Sequence, residues 1–166
     1  MSKRNDLLEI TPTINWSGKP NRKYFLNYLI QKYNYNSMIE VGVRDGRTTF
    51  YLLDNNPNLK IYAIDKNTSL FARKDIIEKY QDRLVPVQGY SYNVVEQVPS
   101  VDLVFIDADH RYHGCKSDIL LYREKAKGIL CGHDIDYPGV NQAVNELIEH
   151  YEIGPNNVWF IEPVDA

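Results

Sequence analysis

Residues 38–49, M-I-E-V-G-V-R-D-G-R-T-T, decide how this chain is read. Met38, Ile39 and Val41 give the opening four positions an apolar bias and mark the end of a buried parallel strand. Gly42 and Gly46 then break the run before a segment able to start a helix. Glycine lacks the Cβ that would hold a ligand off, so such a turn brings backbone N–H groups and a helix N-terminus close to it. The turn reads as a cradle for a nucleotide-type ligand, against the plainer alternative of an ordinary strand-to-helix connection. The spacing is Glu40-x-Gly42-x-x-x-Gly46, and Arg44 stands where a dinucleotide fingerprint has its second glycine. That departure counts against NAD.

Working outward, Phe25, Leu26, Leu29, Ile30 and Tyr33 recur at helical spacing and predict a first helix from Asn21 to the polar cluster at 34–37. Beyond the cradle, 48–54 continue as a helix and 60–64 form a second strand closing on Asp65. A helix over 69–80 and a strand over 84–87 follow, with Gly89 and Ser91 in the next loop. The alternation goes on through a strand at 101–106, a helix at 114–125, a strand at 128–131, a helix at 140–151 and a short strand at 158–161. Parallel strands need crossover helices, so this order predicts an α/β, doubly wound, mainly parallel sheet with helices on both faces and a shortened C-terminal strand region. Residues 1–20, with Pro12 and Gly18, read as an irregular lead-in or flap, and 21–166 as a single domain.

At 166 residues and a formal charge of −3 the chain is long enough for one core and has no basic footprint. Nucleic acid and anionic membranes are disfavoured as partners, and small molecules are favoured. No apolar run follows the N-terminus or reaches membrane-spanning length, so a cytoplasmic location is expected. Two cysteines, Cys115 and Cys131, fit a reducing compartment and read as small buried side chains.

Ligands of doubly wound sheets sit beyond the carboxyl ends of the strands, so the strand-end residues belong together. Asp65 lies close to the usual offset from the glycine turn for an acid that accepts ribose hydroxyls, or else it caps the next helix. Gly89 and Ser91 fit an adenine slot, although both are common turn residues. The fourth strand ends in F-I-D-A-D-H-R-Y-H-G, with Asp107, Asp109, His110, Tyr112 and His113; the fifth ends in C-G-H-D-I-D-Y-P-G, with His133, Asp134 and Asp136. Neighbouring strands lie about 4.8 Å apart, so if these two are adjacent Asp107 and Asp134 reach one cation. Two such carboxylates repel unless a proton or metal lies between them, and oxygen donors with room for water suit Mg²⁺ or Mn²⁺. The alternatives are that one acid caps a helix and the other bonds a loop, or that His110, His133 and a carboxylate form a facial triad for iron.

Taken together, I-E-V-G-V-R-D-G-R-T-T, Asp65, F-I-D-A-D-H-R-Y and G-H-D-I-D-Y-P-G-V-N-Q-A-V resemble the class I S-adenosylmethionine-dependent methyltransferases, in particular the small bacterial group related to cephalosporin hydroxylase and macrocin-type O-methyltransferases. The resemblance implies a Rossmann-like sheet of seven strands with one antiparallel strand near the C-terminus. It places Glu40, Gly42 and Gly46 at the methionine part of the cofactor, with Thr48 in the same cradle, Asp65 at the ribose, and Gly89 and Ser91 around the adenine. Asp107 borders the cofactor and, with Asp134, matches the cation ligands of the similar catechol-type O-methyltransferases. His110 stands where those enzymes carry a lysine, and a histidine serves as a general base near neutral pH. Their third ligand, an asparagine, falls on Ile135, with Asp136 next to it. The implied activity is metal-assisted O-methylation of a small hydroxylated molecule, such as a sugar or catechol-like ring, by an enzyme that is a possible homo-oligomer. Two other functions are consistent with the chain: a cofactor-binding module without methyl transfer, and a metal-dependent hydrolase or hydroxylase built on the His110 and His133 loops.

Overall fold

A computed structural model describes residues 21–67 and 69–163; the lead-in expected over 1–20 lies outside them. The elements in chain order are α1 (Arg22–Lys32), β1 (Ser37–Val41), α2 (Arg47–Asn55), β2 (Lys60–Asp65), α3 (Lys74–Tyr80), β3 (Leu84–Gln88), α4 (Ser91–Val94), β4 (Val101–Ile106), α5 (Tyr112–Tyr122), β5 (Ala126–Gly132), α6 (Pro138–Leu147), β6 (Glu152–Gly154) and β7 (Val158–Ile161). They build one seven-stranded sheet of order β3-β2-β1-β4-β5-β7-β6. All pairs from β3 to β5 are parallel, and β7 runs antiparallel to both β5 and β6.

Period-two alternation along the strands feeds two cores, one on each face. Met38, Leu103 and Phe105 pack with Phe25, Leu29 and Leu52, whereas Ile39, Val41, Val104 and Ile106 pack with Cys115, Ile119 and Val144. A strand buried on both faces cannot alternate regularly with polar residues, which is why β1 and β4 are mainly apolar, with Glu40 and Asp102 as their charged members. Cys115 and Cys131 are free and buried, as expected. Among the described residues no helix is long and apolar enough to cross a membrane.

Three elements differ from the sequence expectation. The helix expected over 69–80 is confined to Lys74–Tyr80, because Leu70 is drawn into the core and the chain turns behind it, the Arg73 N–H donating to the Leu70 carbonyl at 2.9 Å. Ser91 opens a four-residue helix and is not a loop residue. The C-terminal strands are short but complete in number, since the three half-exposed residues of β6 pair with β7 and bring the sheet to seven. The register sets Val41 beside Ile64 and Ile106, Asp65 beside Gln88, and Ile106 beside Gly132. Every parallel strand therefore ends at one level, and the strand order reverses between β1 and β4.

Candidate active site

Above that level lies a cleft of about 1230 Å³. Nine of the ten site residues expected from sequence line it: Glu40, Gly42, Thr48, Asp65, Gly89, Ser91, Asp107, His110 and Asp134. The exception is Gly46, which caps α2 beneath it.

The glycine turn is fixed by contacts that tolerate no side chain at Gly42. Its φ is +92°, and a Cβ there would run into the backbone carbonyl of Asp107. Gly46, at φ +86°, would meet the Phe50 ring and Leu70 instead. Asp65 braces the turn: its Oδ2 accepts the N–H groups of Val43 at 3.0 Å and Arg44 at 2.8 Å, and its Oδ1 accepts that of Asn67 at 2.8 Å. The acid at the end of β2 thus faces the cleft and shapes the loop in front of it, and it is not simply a helix cap. Glu40 is 2 % exposed and accepts the Thr49 hydroxyl at 2.5 Å. Burial pushes its carboxyl up to about 8, with Asp107 adding to the rise against the Thr49 hydrogen bond. A cationic group beside Glu40 would favour its ionised form against this effect of burial.

At the other end of the turn, adjacent strands deliver two carboxylates and two imidazoles to one point. His110 Nε2 lies 2.5 Å from Asp134 Oδ2 and 3.5 Å from Asp107 Oδ1. His133 Nδ1 lies 3.1 Å from Asp134 Oδ2 and 3.6 Å from Asp107 Oδ1. Burial alone would raise the Asp107 pKa, but His110, His133 and the Arg22 guanidinium outweigh it and hold the carboxyl below its ordinary range. The Asp107 carboxylate raises His110 against the opposing effect of burial, with Asp134 adding to the rise. Burial would lower His133, and the same two acids reverse it. Asp134 sits at φ +60°, a left-handed conformation that costs a non-glycine residue and occurs more often at functional sites than elsewhere.

Asp107, His110 and Asp134 each place a ligand atom within 4.8 Å of the others. His110 Nε2 stands between the two acids, close enough to both that a proton or a cation must lie among them. The two carboxylates fit a hard divalent cation, and the imidazole stands beside them as a base. The amide ligand of the catechol type has no counterpart here: Ile135 is 3 % exposed and belongs to the core, and Asp136 is exposed outside the cleft.

Sequence reasoning missed Arg22. From the first turn of α1 its Nε comes 3.2 Å from Asp107 Oδ2, while its backbone N–H donates to Asn156 Oδ1 at 3.1 Å. Asn156, on the turn before β7, also meets His133 Nε2 at 3.3 Å. These are contacts between distant parts of the chain, and no local pattern announces them.

A family model described as a methyltransferase domain matches residues 39–135, more than half of the chain and all of the strand ends just described. The chain belongs to this methyltransferase family. With its sheet order and single antiparallel strand it is a class I S-adenosylmethionine-dependent methyltransferase, as the sequence resemblance implied. No curated protein matches the methyltransferase. Solved structures do: a Staphylococcus aureus protein described as a caffeoyl-CoA O-methyltransferase is 17% identical, with a TM-score of 0.71 over 98% of this chain and 92% of that one. An O-methyltransferase from Bacillus cereus in complex with SAH is 16% identical, with a TM-score of 0.65 over 96% and 90%. An SAH-bound methyltransferase from Podospora anserina is 14% identical, with a TM-score of 0.69 over 87% and 78%. At these identities the likeness shows the shared fold.

Proposed function

We propose that this methyltransferase methylates an oxygen of a small hydroxylated acceptor, a sugar or catechol-like ring, with the help of Mg²⁺ or Mn²⁺. The observation that carries the proposal is the meeting of Asp107, His110 and Asp134 beside the glycine turn, where an acceptor would enter next to the cofactor. The O-methyltransferases among the structural neighbours support it.

S-adenosylmethionine supplies a methyl group already activated on its sulfonium. What is asked of the protein is to align the acceptor oxygen and take its proton. Gly42 leaves space for the methionine part of the cofactor, Gly46 lets the turn pass into α2 behind it, and Asp65 would accept the ribose hydroxyls. Asp107 and Asp134 would hold the cation, which when bound would lower the pKa of an acceptor hydroxyl. His110 Nε2 accepts the proton, and the two carboxylates on either side stabilise the imidazolium that results. Arg22 keeps Asp107 ionised and turned into the cleft.

The metal is tested by assaying methyl transfer to a panel of vicinal diols and catechols before and after chelation. Turnover is expected to fall at least about 10²-fold on removing divalent cations and to return with Mg²⁺ or Mn²⁺. Undiminished turnover in chelator would leave His110 as the base of a metal-free reaction, and cofactor binding with no turnover on any acceptor would favour the binding module.

A further inference from the structure

One buried acid on the β3 side of the cleft takes no part in that mechanism. Asp118, on α5, is 2 % exposed yet lines the cleft together with Gly89, Tyr90, Ser91, Gly114 and Ser117. Resting on the cofactor assignment above, we propose that Asp118 determines specificity for adenine by accepting a hydrogen bond from the exocyclic amine of the base.

The position follows from the sheet. Gly42, Asp65 and Gly89 follow or close three adjacent parallel strands, so a ligand whose methionine end lies at Gly42 and whose ribose lies at Asp65 carries its base toward β3. The loop after β3 offers no acid of its own there, since Gly89, Tyr90 and Ser91 follow Gln88. The acid comes instead from the helix that packs beside it. Ser91 donates its hydroxyl proton to Asp118 Oδ1, and its carbonyl accepts the Tyr122 hydroxyl at 2.7 Å. Ser91 is thereby clamped, and its one proton is committed. Both residues line the cleft, and the polar capacity left to the pair is acceptors only: the Ser91 lone pairs and the second oxygen of Asp118.

A wall of acceptors selects a donor. Adenine presents an amine at this edge, whereas hypoxanthine presents a carbonyl oxygen, which would set acceptor against acceptor and leave a buried carboxylate unpaired. Burial pushes the Asp118 carboxyl up to about 6 against the Ser91 hydrogen bond, with Asp109 adding to the rise.

The test is calorimetry of the full chain with S-adenosylhomocysteine and with S-inosylhomocysteine, on the unaltered protein and on Asp118→Asn and Asp118→Ala. The unaltered protein is expected to prefer the adenosyl compound by roughly 10²-fold or more. Asp118→Asn keeps an acceptor for Ser91 but turns an amide NH₂ to the cleft, and it should cut the preference to below about tenfold by weakening the adenosyl and strengthening the inosyl compound. Asp118→Ala removes the acceptor and frees the Ser91 proton, so it should weaken the adenosyl compound and relieve the inosyl one, abolishing the preference. Equal weakening of both ligands would assign Asp118 a purely structural role and overturn the proposal. So would an unaltered protein that binds both compounds equally, with the cofactor site left standing. Binding of neither would fail the cofactor assignment itself, and the proposal with it.

Discussion

Asp107→Ala is expected to lower methyl transfer by about 10³-fold or more, the range seen when general acid–base machinery is dismantled. Asp107 is the point at which the site's charges meet: Arg22 at 3.2 Å, His110 at 3.5 Å and His133 at 3.6 Å all answer to its carboxylate. Its removal would deprive the proposed cation of one of its two carboxylate ligands, frees His110 from one of the acids that stabilise its protonated form, and strands the buried Arg22 Nε. The last effect acts on the fold as well, since removing one partner of a buried ion pair costs up to about 3–5 kcal/mol, less here because Arg22 is partly exposed. Asp107→Asn separates the two consequences. It keeps the shape and much of the stability but not the charge, so activity should fall almost as far while urea denaturation moves much less.

Gly42→Ala is expected to damage the fold more than any other single methyl group added around the cleft. At φ +92° an alanine pays about 1–2 kcal/mol in backbone strain. Its Cβ would also collide with Asp107 and Ala108 backbone atoms, which cannot swing away as a side chain can. Overpacking of that kind adds about 1–3 kcal/mol. The strands around it are locked, with the Gly42 N–H donating to the Ile64 carbonyl and the Asp107 N–H to the Val41 carbonyl, each at 2.8 Å. A total loss of about 2–5 kcal/mol is predicted from the urea midpoint, together with loss of cofactor binding. Gly46→Ala is the control. Its Cβ meets the Phe50 ring and a Leu70 methyl, which can shift, so a smaller loss is expected.

The contrast between these positions and Arg22 shows what the sequence made legible. Gly42, Asp65, Asp107 and Asp134 stand at the ends of apolar runs, and a parallel sheet brings all such ends to one level whatever the details of the loops. The site could therefore be assembled from strand boundaries alone. His110 and His133 were visible for the same reason, though not their shared approach to both acids, which depends on the left-handed turn at Asp134. Arg22 and Asn156 reach the site from α1 and the β7 approach, across sequence separations that carry no periodic signal. Asp118 sits on α5 as an ordinary polar residue would, and only its burial against Ser91 sets it apart. Strand β6 was invisible because three half-exposed residues become a strand solely through their partner β7. The helix over 69–80 was overextended because side-chain periodicity does not register the turn behind Leu70.

The most direct measurement is isothermal calorimetry of the purified chain with S-adenosylhomocysteine, alongside Asp65→Ala. Asp65 holds the glycine turn through Val43 and Arg44 and faces the space assigned to the ribose. One-to-one binding in the micromolar range, weakened about tenfold or more by Asp65→Ala, is the predicted result. Absence of binding to the unaltered protein, or binding that Asp65→Ala leaves unchanged, would contradict the placement of the cofactor in this cleft.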